Sequence, residues 1–247
     1  MSAYLAALFK DIHQKTGLNF VYMYDQFEYR RMIDGVWTSV ELIVLCLICS
    51  IIIGLIAAAA RESRSRILFM VVGAYVEFFR NTPPYVQLLF FYFGIGSVLP
   101  KIDVGGYVEP LIGRFGWAVI SLSLFGGAFV TEIFRSGIES VPRTMREAAE
   151  ALGYSRIQTF MHVVLPLALR SCLPALGGIL ISLLKYTSLA YAIAVPEVTY
   201  TSQLIWNDNF NVIEMMITLF IFYNLTVMSF SLLMSGLERR LALPGYG

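Results

Sequence analysis

Apolar and polar positions along this chain fall into long blocks, not into the short alternations of a water-soluble domain. The block 36–60 is apolar almost throughout and is followed at once by Arg61, Arg64 and Arg66. About 20 apolar residues cross the ~30 Å hydrocarbon core of a bilayer as a helix, and arginines clustered at one end mark the cytoplasmic side. The pattern therefore predicts a first span at 36–60 that runs inward. Residues 67–79 are apolar all round, but a helix of that length covers only about 20 Å. Arg80-Asn81-Thr82-Pro83-Pro84 interrupts it, and Pro84 can open a new helix. The second span is placed at 82–99, with a single kinked span over 67–90 as the alternative. Further blocks predict spans at 116–138, 171–195 and 212–234, separated by polar intervals at 101–115, 139–170 and 196–211. The segment 1–35 mixes a short apolar run with Lys10, Asp11, Lys15, Asp25, Glu28, Arg30, Arg31 and Asp34, the pattern of an amphipathic stretch lying on the membrane surface.

Charge fixes an orientation for this all-α, polytopic chain. Of the 18 Lys and Arg residues, eleven fall on the inner side, six on the outer side, and Lys185 within the fourth span. The N-terminus is then outside and the C-terminus, with Glu238, Arg239 and Arg240, inside. Composition agrees: 57% of the 247 residues are hydrophobic and 14% charged, against roughly 25% charged in a soluble domain. A net charge of +1 gives no footprint for nucleic acid. Cys46, Cys49 and Cys172 lie in or beside apolar runs without a neighbouring His and read as small packing residues. The opening MSAYLAALFKDIHQK has too short an apolar core and no basic leader for a cleaved signal peptide.

The longest polar interval carries its own punctuation. Pro142 can open a short helix at its first position, and Gly153 can close it with a left-handed cap. Ser155 and Gln158 have the spacing of a capping box for a second short helix, and Pro166 ends or kinks that helix. A helix–turn–helix held out in water by an oily chain is a surface for gripping a partner.

Polar residues inside the spans are the candidates for a pathway. A lone charge such as Lys185 costs about 2.5–3.5 kcal/mol in a membrane helix and needs a cavity or a partner. Gly178, Ser182 and Lys185 share one face, with Thr187 and Ser188 close by; pathway lining and structural pairing both fit them. Ser123, Gly127, Thr131 and Arg135 recur every four residues, the stripe of a closely packed helix interface or of a pore. Glu77 with Arg80, and Glu132 with Arg135, are three residues apart. Each is a local ion pair or part of a charged ring closing the cytoplasmic mouth of a pathway. Asn81 and Thr82 sit at a helix break whose free backbone groups need partners. There is no phosphate-binding G-x-x-x-x-G-K-[ST] loop, and no Ser/His or H-E-x-x-H constellation for hydrolysis.

Glu147-Ala148-Ala149, three residues, Gly153, nine residues, then Val163-Val164-Leu165-Pro166 resembles the Glu-Ala-Ala signature of ABC importer permeases, with Val163 in place of Ile. Glu77 to Pro83, Glu132 to Ile138, Ser182 to Leu189 and Val195-Pro196-Glu197 are similar, in order, to the polar amino acid permeases, the importers of histidine, glutamine, arginine and glutamate. The resemblance covers about 36–240. It implies a type I importer permease fold in a bacterial inner membrane, with Glu147, Ala148, Ala149 and Gly153 as the ATPase-coupling helix. It places Asn81, Thr82, Ser182, Lys185, Thr187, Ser188 and Glu197 near the substrate path and Glu77, Arg80, Glu132 and Arg135 at a cytoplasmic gate. Its implied partners are two ABC ATPases that hold the ATP and Mg, a second permease subunit (a paralogue before an identical copy), and an extracytoplasmic binding protein. The permease itself binds no cofactor and is not an enzyme. Asn81 stands where the family has Gly and Tyr186 where it has Asp, which opens the substrate to an opine or a related zwitterion. A self-sufficient channel or secondary carrier is the alternative.

Overall fold

The computed structural model describes residues 3–61, 65–104 and 107–241, which leaves Arg64 outside the described residues. Helix α1 (Ala3–Thr16) is followed by a 3-10 turn (Val21–Met23) and the long α2 (Gln26–Arg61). Then come α3 (Arg66–Asn81), α4 (Pro84–Leu89), a π-helical turn (Phe90–Ile95) and α5 (Gly96–Val98). A hairpin of β1 (Lys101–Val104) and β2 (Tyr107–Pro110) precedes α6 (Arg114–Ser140). The short α7 (Arg143–Ala151) and α8 (Arg156–Thr159) lead through a second π turn (Phe160–Val164) into α9 (Leu165–Tyr186) and a 3-10 helix (Thr187–Ile193). Helices α10 (Val198–Asn209) and α11 (Val212–Leu241) are the last of the described elements.

Among the described residues, four helical stretches are long and apolar enough to cross a membrane: Gln26–Arg61, Arg114–Ser140, Arg156–Ile193 and Val212–Leu241. The expected second span is the shorter apolar helix Pro84–Val98, about 22 Å long at 1.5 Å per residue. Helix α3 is separate from it: Thr82 ends α3 in an extended conformation, its hydroxyl donating to Phe78 O (2.8 Å). The 101–115 interval, expected as loop, holds an antiparallel pair in which Ile102 faces Glu109.

The described residues divide into two compact units, each drawing segments from several helices. The first comprises Met1–Leu45, Tyr85–Ser121 and Leu184–Met228. Its core holds Val21, Met32, Val198, Ile205, Met215 and Leu219. Polar bonds bring the N-terminal segment onto it. Asn19 N–H donates to Glu214 Oε1 (2.6 Å), and Asn211 Nδ2 donates to Asn19 O (2.8 Å), so Val21 is buried. Helix α2 starts at Gln26, ten residues before the apolar block, because its early charges find partners on α10. Arg31 bonds Asp208 (2.7 Å) and Glu28 (3.4 Å), and Asn209 Nδ2 donates to Glu28 Oε1 (3.0 Å).

The second unit comprises Cys46–Pro84, Leu122–Leu183 and Ser229–Gly247. Its helices approach through small residues. A Cβ at Gly54 would strike Val130, one at Gly126 would strike Ser50 and Leu183, and one at Gly137 would strike Cys172 Sγ. The four-residue stripe on α6 serves this packing. Ser50 Oγ donates to Ser123 O (3.3 Å), Gly127 faces Ile53 and Tyr75, and buried Thr131 bonds back to Gly127 O (2.7 Å). Cys46 and Cys172 are buried apolar-side residues, and all three cysteines are free thiols.

Candidate coupling element and charged cavity

Helices α7 and α8 are built almost wholly from local signals. Pro142 is the N-cap of α7, with Arg143 the first helical residue, one position later than the sequence pattern placed the start. Arg146 Nη2 donates to Ile138 O (2.7 Å), fastening α7 to the last turn of α6. Gly153 closes the helix at φ +87°, a conformation that L side chains rarely adopt, and Tyr154 N–H reaches Ala149 O (3.1 Å). The capping box forms with both of its bonds: Gln158 N–H to Ser155 Oγ (3.4 Å) and Ser155 N–H to Gln158 Oε1 (2.9 Å). Ala149 is buried, while Glu147 and Ala148 face solvent. Glu147 pairs with Arg143 of its own helix (3.0 Å), with both side chains well exposed. Leu152 and Ile157 are 80% and 76% exposed and Met161 lies beside them in sequence, also exposed. Large apolar side chains are thus held out by a capped polar element, the pattern of an interaction surface.

The Glu132 carboxylate is the centre of the second site. Arg61 Nη1 lies 3.1 Å from Oε2, and Arg135 grips Oε1. Arg135 also bonds Glu139. These groups are a fifth to a quarter exposed, apart from the more open Glu139. The Glu77–Arg80 pair that spacing predicted does not form among the described residues. Arg80 instead lies over the Phe129 ring, 5.3 Å from its centroid, a cation–π contact that leaves Glu77 exposed. Arg80, Phe129, Glu132, Ser136 and Cys172 line a cavity of about 520 Å³. Arg61, which sequence reasoning used only to orient the first span, thus belongs to the cluster, as does Glu139. Arg61 and Glu132 are 71 residues apart, a pair that no periodicity within one helix reports, whereas Glu139 is four residues from Arg135 and its spacing was readable.

The residues expected along a substrate path are drawn from both units. Asn81, Thr82 and Ser182 belong to the second unit, and Lys185, Thr187, Ser188 and Glu197 to the first. Asn81 is the exposed last residue of α3. Ser182 bonds back to Gly178 O (2.9 Å), Thr187 to Leu184 O (2.7 Å) and Ser188 to Lys185 O (2.8 Å). Lys185 is exposed and has no carboxylate within ion-pair reach among the described residues. Glu197 is almost fully buried as the N-cap of α10. It accepts from Thr199 N–H and Tyr200 N–H (both 2.9 Å) and from Tyr223 Oη (3.2 Å). Ser39 Oγ accepts from Val198 N–H (2.9 Å) at the same helix start. Burial pushes the Glu197 carboxyl up to about 7, against the pull of its N–H and O–H donors.

Residues 50–243 match the model of the family described as binding-protein-dependent transport system inner membrane component. The chain is 35% identical over 210 residues to the glutamine transport system permease protein GlnP of Escherichia coli (strain K12), covering 85% of this chain and 92% of that one. It is 30% identical over 189 residues to the nopaline transport system permease protein NocM of Agrobacterium fabrum (strain C58), covering 76% and 78%. Among solved structures, the crystal structure of an amino acid ABC transporter with histidines superposes with a TM-score of 0.76 at 29% identity, covering 86% of this chain and 94% of that one. An inward-facing form of the MetNI methionine ABC transporter superposes with a TM-score of 0.68 at 19% identity, covering 89% and 100%, a likeness of fold.

Proposed function

Because the chain belongs to the family of binding-protein-dependent transport system inner membrane components, as the permease of an amino acid ABC importer, we propose that it forms half of an ATP-driven path across a bacterial inner membrane. Five spans cross, with the N-terminus outside. A second permease, a paralogue, supplies the other half. Two ATPases, which hold the ATP and Mg, dock on α7 and α8, and an extracytoplasmic binding protein delivers the substrate. The segment 36–240 is then the permease domain, 139–170 its coupling helices and 1–35 an N-terminal amphipathic segment at the membrane surface. The substrate is a polar amino acid or an opine, in keeping with relatives named for glutamine and for nopaline.

The observation that carries this reading is the exposed, doubly capped α7–α8 element with Glu147, Leu152 and Ile157 on its surface. Ala148 and Ala149 are small enough for the helix to seat in a groove, and Gly153 fixes the turn. When the ATPases close on ATP they displace this element as a rigid body. The Arg146–Ile138 bond carries the displacement to α6, and the helical run from α8 into α9 carries it there. The Arg61–Glu132–Arg135–Glu139 cluster, which joins the end of α2 to α6, is with Arg80 and Glu77 of α3 the gate that re-forms and breaks. Asn81, Thr82, Ser182, Lys185, Thr187 and Ser188 are the path residues of this proposal. Glu197 joins them in this proposal while it caps α10.

Reconstitution with the cognate ATPase, paralogue and binding protein tests it. Glu147→Arg puts a like charge against the basic groove that the proposal requires, so substrate-stimulated ATP hydrolysis and uptake are lost while the complex without nucleotide still folds. Unchanged uptake in that variant, or uptake by the chain without ATP, would overturn the reading in favour of a self-sufficient carrier.

A further inference from the structure

A second cavity, of about 470 Å³, adjoins the Glu132 cavity in the same unit, with Ser140 and Ser171 lining both. Its lining is mostly apolar and draws on the α6–α7 junction, the start of α9 and the last turn of α11. Val141, Leu167, Leu173 and Leu241 supply the wall. Arg170, Arg239 and Glu238 supply its charges. None of the three makes an ion pair among the described residues. Glu238 leans toward α9 instead, where a Cβ at Gly177 would meet its Oε1 at 3.3 Å.

Hydropathy fixes the depth of this cleft. Arg170 stands between the apolar first turn of α9, Leu165–Leu169, and its longer apolar run from Cys172, and Arg239 follows the apolar run of α11 by a few residues. Both arginines therefore stand at the same polar boundary of the bilayer, on two different helices. Between them lies a greasy recess with room for an acyl segment. An amino acid or a free phosphate would leave the apolar wall unused. A neutral lipid would leave two guanidiniums without an anion. Basic residues at the cytoplasmic ends of membrane helices around an apolar recess match one chemistry, an anionic phospholipid. Its phosphate accepts from the arginines, which hold phosphate oxygens by paired N–H donors, and its chain fills the recess.

We propose that the cleft between Val141, Leu173, Arg170 and Arg239 is a binding site for an anionic phospholipid of the inner leaflet. The bound lipid would fill the space between the coupling helix junction and the C-terminal end of α11. This rests on the orientation proposed above, with these helix ends on the cytoplasmic side of the membrane. It does not depend on which substrate is carried.

The test uses the assembled transporter in nanodiscs of phosphatidylglycerol and phosphatidylcholine, released into the gas phase for native mass spectrometry. The wild type should retain phosphatidylglycerol over phosphatidylcholine. Retention should fall about fivefold for Arg170→Gln or Arg239→Gln and about thirtyfold for both. Arg170→Lys with Arg239→Lys should restore part of it. Leu173→Asp should abolish it with both arginines in place, and glycerophosphoglycerol, the headgroup without chains, should not compete. Equal retention of the two lipids, or retention unchanged in the double Gln variant whose assembly and ATPase activity are intact, would overturn the proposal. So would effective competition by glycerophosphoglycerol or inorganic phosphate, which would make the cleft a simple anion site. Because the readout is bound lipid, it fails independently of the transport reading.

Discussion

Glu197 and Glu132 are both acidic residues that a membrane protein keeps out of bulk water, and they are held in opposite ways. Around Glu197 every partner is a neutral donor fixed by the fold: two backbone N–H groups of the helix that it caps and the Tyr223 hydroxyl. Around Glu132 the partners are cations on long side chains, Arg61 and Arg135, with Glu139 sharing Arg135 and a cavity beside them. Neutral donors at fixed geometry can tie down a helix start but cannot be exchanged. Arginines with a choice of carboxylates can change partners at little net cost. The first arrangement suits a hinge point that must not move, the second a contact that must.

The largest expected effect tests the Glu197 side. Its carboxyl titrates near 7 in the folded protein against an ordinary value of 4.5, so the folded state binds more protons than the unfolded state between those values. Stability is therefore fully present below about 4.5 and falls as pH rises through 7, by on the order of 3 kcal/mol. Thermal unfolding in detergent from pH 4.5 to 8 measures this slope, and Glu197→Gln should flatten it. A slope unchanged in that variant would mean that burial of this group does not govern the region.

Next in size is Glu132→Gln, which leaves Arg61 without its carboxylate while Arg135 keeps Glu139. Discounted for partial exposure, the loss is about 2 kcal/mol, a shift of roughly thirtyfold between gate states. Uptake and basal ATP hydrolysis should come uncoupled, and Arg61→Gln in the same chain should recover part of the coupling. If the double variant is simply additive, the two residues do not act as a pair. Tyr223→Phe removes one donor from Glu197 and should cost about 1 kcal/mol of stability with transport kinetics unchanged. Smallest of all, Arg143→Ala breaks an exposed pair on α7 and should move stability by less than about 0.5 kcal/mol. A larger loss there would show that α7 needs this pair to stay helical without its partner.

Short-range features were readable from the residues because their physics is short-range. Gly153, the Ser155–Gln158 box and the Glu132–Arg135 contact each depend on residues three or four apart, and each appears in the structure as the spacing predicts. Glu77 and Arg80 have the same spacing and do not pair, because the Phe129 ring on α6 competes for the guanidinium. Bonds across 71 to 195 residues, such as Arg61–Glu132 and Asn19–Glu214, set the early start of α2 and the packing of the N-terminal segment. Hydropathy could not see them. Glu197 reads as a path residue from its motif, since Glu is not among the favoured N-cap residues; its burial against Tyr223 is what identifies the cap.

The π turn at Phe160–Val164 joins α8 to α9 without a break. A wide turn of this kind carries one residue more than the α-helix around it needs, so it sets the rotational phase of everything downstream. Removing a single residue there would spin the whole of α9 by about 100°, swinging Ser182 and Lys185 away from their present bearing while leaving the helix itself intact. The length of that short bend acts as a gear tooth, and it ties the distance from Gly153 to Lys185 to a fixed count that substitutions can respect and deletions cannot.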